Sequence, residues 1–122
     1  DPKMITIAKK YFPEANDTRL RFICKDAAEF VESNAEYYNL IVADIFVDEE
    51  TPEHVKTKEF LTNCANRLRP RGIFIYNCLA NTVPRQGKSL RFQEIFKNAL
   101  PGARQIACRG NVILIFEKSG GL

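Results

Sequence analysis

Apolar residues recur along this chain with two periods, and each switch between them marks a boundary. Met4, Ala8, Tyr11 and Phe12 fall at helical spacing behind Asp1-Pro2, a pair suited to an N-cap and first turn, and Pro13 stops the run. Beyond the polar turn Asn16-Asp17-Thr18-Arg19, the residues Leu20 to Cys24 alternate and then close as a predicted strand. Asp26, with Glu29 three residues on, forms a capping box that opens a helix whose face is Ala27, Phe30 and Val31. Leu40-Ile41-Val42-Ala43 is short, rich in β-branched residues and free of charge, and it ends abruptly at Asp44. Such a run predicts a central strand buried on both faces of a parallel sheet covered by helices. The other elements are arranged around it.

An acidic loop, Val47 to His54, leads to Thr57, and then Phe60, Leu61, Cys64, Ala65 and Leu68 keep the spacing of a well-buried helix face. Arg69-Pro70-Arg71-Gly72 ends that helix and launches a strand over Ile73 to Asn77. A polar loop from Ala80 to Ser89 opens a further helix with the face Phe92, Ile95, Phe96 and Ala99, closed by Leu100-Pro101-Gly102. Two last strands, Gln105 to Cys108 and Val112 to Phe116, are joined by a hairpin at Arg109-Gly110-Asn111, and the tail from Ser119 to Leu122 is expected to fray. Strands alternating with helices imply an α/β fold with right-handed crossovers and a mostly parallel sheet, to which the hairpin adds one antiparallel strand.

Composition narrows the function classes. With 122 residues and 45% hydrophobic content, the chain is material for one domain, spanning 1–122, with a real core. The formal net charge of +3 is mild. Apart from Arg67, Arg69 and Arg71, basic residues are interleaved with acidic ones, so a solvated face is expected and not a nucleic-acid partner. The four cysteines are far apart in apolar contexts, with no C-x-x-C, and read as reduced, buried thiols of a cytoplasmic protein. His54 is the only histidine, which removes a His-based metal cage, and no G-x-S-x-G elbow accompanies it. No apolar run approaches the roughly 20 residues a bilayer requires, so no membrane partner is expected. Tyr37, Tyr38 and Tyr76 read as packing residues at the sheet margins. The chain opens at Asp1 without a start methionine and is expected to be a piece of something longer.

Two carboxylates stand out. In open α/β sheets the ligand crevice lies beyond the carboxyl ends of the strands, which places Asp44 where chemistry belongs. Asp26 caps its helix, and one of its oxygens would remain for a ligand. Asp48, Glu49 and Glu50 make the next loop acidic, which suits a polyamine or basic peptide, although a solvated loop is the favoured explanation.

The series Asp1-Pro2 with AKKYF, DTRLRF, KDAAEF, YYNLIVADIF, P-x-x-x-x-T-x-E-F, LRPRGIFIYN and GNVILIF resembles the spermidine synthase-like branch of the class I S-adenosylmethionine-dependent methyltransferase fold. It covers nearly the whole chain. The resemblance implies a Rossmann-like sheet lacking its first strands, with an antiparallel last strand set inside an otherwise parallel array. It implies an aminopropyl donor, decarboxylated S-adenosylmethionine, and an amine acceptor, with no metal. Asp26 would hold the adenine end, Ala27 would offer its amide to the ring, and Asp44 would handle the attacking amine. The family's Gly-rich loop and ribose-binding acidic residue would precede Asp1. After Asp44 the family's D-P-x-G-P-like stretch is replaced here by IFVDEETPEH. The alternatives are therefore an S-adenosylmethionine-dependent methyltransferase of the same fold, acting on a small-molecule amine or a protein, and a catalytically silent interaction module. Without the family's first strand, the edge at Leu40 to Ala43 would be bare. Either Leu20 to Cys24 closes against it or, as favoured, a second copy covers it in a homodimer.

Overall fold

Local capping chemistry starts the helices. In this computed structural model, which describes residues 1–121, Asp1 accepts from the Lys3 amide at 2.8 Å and opens helix α1, Pro2–Tyr11. A 3-10 turn, Pro13–Asn16, follows, and Asp26 caps helix α2, Ala27–Ser33. Strand β1 is Tyr38–Ala43, and after the 3-10 turn Glu53–Val55 comes helix α3, Lys58–Asn66, capped by Thr57. Strand β2 is Leu68–Leu79, helix α4 is Val83–Ala99, and strands β3 and β4 are Arg104–Cys108 and Asn111–Glu117.

The strands form one sheet in the order β1-β2-β4-β3. β1 runs parallel to β2, with Leu40 opposite Ile73 and Ala43 opposite Tyr76. β4 is antiparallel to both β2 and β3, so β1, β2 and β3 share a direction and β4 is inserted against them. This is the inverted last strand that the resemblance implied. Its hairpin turns at Arg109-Gly110, where Gly110 adopts φ 80°, a region L side chains rarely enter.

One face of the sheet holds the core. Phe74, Tyr76 and Leu114 are fully buried against Phe60, Leu61 and Cys64 of α3 and Phe92 and Phe96 of α4. The Tyr76 and Phe92 rings lie 4.7 Å apart and those of Phe74 and Phe96 5.7 Å. Each such side chain contributes about 1.5–3 kcal/mol through burial. Within α4 the inward face also carries Ser89 and Gln93, which the hydrophobic pattern could not flag. The Gln93 amide donates to Ser89 Oγ at 3.1 Å, so the two satisfy each other inside the core.

The opposite face is bare, and this corrects several expectations. β1 is an edge strand and is not buried on both faces: Leu40 and Val42 are 54% and 57% exposed, whereas Ala43, pointing the other way, is 2% exposed. Leu20 to Cys24 joins no strand, although the outer edge of β1 is unpaired among the described residues. It does not pair with β1. Helix α1 forms as expected, yet it buries no residue; it packs on the 3-10 turn behind it, and its Lys9 ammonium stands 5.5 Å over the Phe22 ring. Tyr76 lies at the centre of the core and not at a margin, while Ile95, placed on the buried face of α4 by spacing, is 42% exposed. Cys64 and Cys78 are buried, but Cys24 and Cys108 are exposed free thiols, since their segments lack a covering layer.

β2 starts five residues earlier than its apolar run, at Leu68. The turn-like Arg69-Pro70-Arg71-Gly72 is absorbed into the strand as an irregularity, with Arg71 at φ 64° and a register shift opposite Tyr38 and Leu40. A Cβ on Gly72 would stand 2.7 Å from the Arg69 carbonyl oxygen, so only glycine fits. Of the tail expected to fray, Leu122 lies outside the described residues.

Candidate active site

The two carboxylates singled out by the sequence border one loop, Ile45 to Thr57, which leaves β1 and returns to α3. Asp44 is the first residue past β1 and is exposed. Its Oδ1 accepts from Asn77 Nδ2 at 3.0 Å, and Asn77 Oδ1 in turn accepts from Asn111 Nδ2 at 2.8 Å. Asn77 lies near the carboxyl end of β2 and Asn111 starts β4, so the polar chain runs across the ends of three adjacent strands. Asn111 fixes which way the Asn77 amide faces, and Asn77 fixes the Asp44 carboxylate. No hydrogen bond of the described residues reaches Asp44 Oδ2, so that oxygen can still accept. Sequence reading missed Asn77 and Asn111. The available signal was that the strand predicted for Ile73 ends on Asn77, at the same end of the sheet as Asp44.

Asp26 is held on both oxygens. Oδ1 accepts from the Ala28 and Glu29 amides at 2.9 and 3.2 Å, as the capping pattern required. Oδ2 lies 2.6 Å from His54 Nε2, a contact between segments that no local pattern could show. The His54 hydrogen bond is the main reason the Asp26 carboxyl sits below the usual carboxylate range, with partial burial opposing it and the two amides adding to it. An ionised carboxylate can only accept, so Nε2 carries the proton.

His54 is placed by its neighbour. Val55 is fully buried, and its carbonyl accepts from the Tyr76 hydroxyl at 2.7 Å, which anchors the loop to the middle of β2. Burial pushes the Tyr76 phenol far above its ordinary range, so the hydroxyl stays a donor through all accessible pH. Ala27 is half-buried and lines an apolar cavity of about 430 Å³ with Phe30, Ile41, Ala43, Ile45 and Phe60, running along the free edge of β1.

The acidic loop is partly neutralised by basic residues of α4. Asp48 and Glu49 adopt φ 49° and 66° in a tight turn closed by hydrogen bonds between Val47 and Glu50. Arg85 of α4 donates to the Glu49 carbonyl at 3.1 Å and stands 3.6 Å from the carboxylates of Glu49 and Glu50, with Lys88 3.5 Å from Glu50. These exposed pairs contribute little stability individually but offset the loop's charge. Among the described residues no cluster of side chains could hold a metal ion, and no helix is long and apolar enough to cross a membrane.

Comparison with known proteins follows the same geometry. Among solved structures, a spermidine synthase bound to the transition-state analogue AdoDATO superposes with a TM-score of 0.79 at 19% identity, covering 99% of this chain and 45% of that one. Human methyltransferase-like protein 13 in complex with SAH gives 0.80 at 21% identity, over 97% of this chain and 58% of that one. These likenesses establish the fold. A polyamine aminopropyltransferase of Buchnera aphidicola is 32% identical over 80 residues, 62% of this chain and 28% of the relative. Polyamine aminopropyltransferase 2 of Aquifex aeolicus is 36% identical over 84 residues, 62% of this chain and 17% of the relative. The match thus spans a third or less of the length of these curated relatives. The model of the spermine/spermidine synthase domain matches residues 1–101, the stretch that carries both Asp26 and Asp44, and the chain belongs to that family.

Proposed function

We propose that the protein containing this sequence transfers an aminopropyl group from decarboxylated S-adenosylmethionine to a polyamine amine. The observation that carries this reading is Asp44 at the carboxyl end of β1, with one oxygen fixed by Asn77 and the other free. In the transfer, the amine nitrogen forms a bond to the methylene carbon beside the sulfonium as the carbon–sulfur bond breaks. The bonding pair returns to sulfur, methylthioadenosine leaves, and the new ammonium loses a proton. A carboxylate held as Asp44 is can bind the ammonium form, accept that proton and stabilise the developing cation. Asp26 and Ala27 would take the adenine end. The names of the curated relatives support this assignment.

One observation favours methyl transfer from S-adenosylmethionine as a second reading. The carboxylates of Glu49 and Glu50 face Arg85 and Lys88, which leaves less negative charge for a polyamine. Steady-state kinetics of the full protein with each sulfonium donor separates the two. Asp44→Asn is expected to lower kcat by about 100-fold or more with the donor KM little changed, and Asp26→Ala to raise the donor KM with kcat largely kept. Both variants raising only the donor KM would refute the division of roles.

A further inference from the structure

His54 has no part in the reading above, yet it makes the shortest side-chain contact to Asp26. We propose that His54 gates the adenine end of the site: its imidazole occupies Asp26 Oδ2, and a ligand bearing an exocyclic amine must displace it to reach that oxygen. The inference rests on the reading that Asp26 faces adenine.

Asp26 has few acceptor sites to offer. Oδ1 is committed to the Ala28 and Glu29 amides, so an incoming N–H donor is left with Oδ2. That oxygen already receives His54 Nε2 at 2.6 Å, a charge-assisted contact. The imidazole is 53% exposed and can swing into solvent without opening a void, whereas the adjoining Val55 is fully buried and tied to Tyr76. The side chain is therefore the moving part and the loop backbone the fixed one. On the same turn Glu53 and Lys56 pair with each other at 2.9 Å, so neither competes for Asp26.

Calorimetry on the full protein tests this with methylthioadenosine and its 6-oxo counterpart, which presents an acceptor where adenine has its amine. His54→Ala is expected to tighten methylthioadenosine binding about three- to tenfold, the exchange of one hydrogen bond, and to leave the 6-oxo ligand unchanged. His54→Gln, whose amide nitrogen can take the place of Nε2, is expected to bind as the unmodified protein does. Unchanged or weaker methylthioadenosine binding in His54→Ala overturns the gate, as does an NMR assignment of the neutral imidazole proton to Nδ1. Asp26→Ala keeps the two ideas apart. If it weakens methylthioadenosine binding while His54→Ala has no effect, the gate alone fails. If Asp26→Ala has no effect, or no variant binds at all, the adenine reading fails and the gate with it.

Discussion

Removing one oxygen atom from the core should loosen the loop that carries His54. In Tyr76→Phe the ring keeps its place beside Phe92 and Phe96, but the Val55 carbonyl loses the hydroxyl that donates to it at 2.7 Å. Tyr76 is 1% exposed and Val55 0%, so water cannot replace the donor without opening the core. A lost hydrogen bond between neutral groups costs about 1 kcal/mol net, and an acceptor left buried and unpaired about 1–3 kcal/mol. With both partners inaccessible, the expected loss is about 2 kcal/mol. For a urea slope of about 2 kcal/mol/M, the unfolding midpoint falls by about 1 M with the slope unchanged. Amide hydrogen exchange should show Val55 and Lys56 losing protection while the β2 amides paired with β4 keep theirs. A midpoint shift equivalent to less than about 0.3 kcal/mol, far below the cost of an unpaired buried acceptor, would show that the hydroxyl does not anchor the loop.

Thiol chemistry should divide the cysteines. Burial pushes Cys64 and Cys78 up to about 12, so at pH 8 iodoacetamide should modify Cys24 and Cys108 in the folded chain and all four cysteines only in denaturant; modification of Cys64 before unfolding would contradict the packing. Acid should destabilise. Asp17, Asp26, Glu36 and Glu53 all have folded-state values lowered by hydrogen bonds to Arg19, His54, Arg21 and Lys56, so their contribution is present above the ordinary carboxyl range and is lost as pH falls through the lowered values. The urea midpoint should hold between about pH 7 and 5 and drop below about pH 4, where a rise would reverse the sign of the argument. The free edge of β1, with Leu40 and Val42 exposed, is proposed to make the isolated chain self-associate as a dimer, and Val42→Lys to abolish this; sedimentation showing a monomer for both across the micromolar range would refute it.

The sequence by itself determined the elements whose causes are local. Asp1 and Asp26 announced two helix starts because a capping side chain satisfies amides only two or three residues away. Phe60, Leu61, Cys64 and Ala65 read as a buried face because helical spacing alone puts them on one side. The place of Asp44 was legible because a strand that stops on a carboxylate puts it at the sheet's carboxyl end whatever lies beside it. Tertiary structure decided whatever needed a partner distant in the chain. Leu40 to Ala43 has the composition of a central strand, but composition cannot supply a neighbour, and β1 has β2 on one side only. Leu20 to Cys24 has strand-like alternation yet stays outside the sheet, since alternation alone does not bring a segment to an edge. Asn77, Asn111 and His54 became visible only when β2, β4 and the loop came together, since a polar side chain's role depends on which acceptor the fold sets within about 3 Å of it.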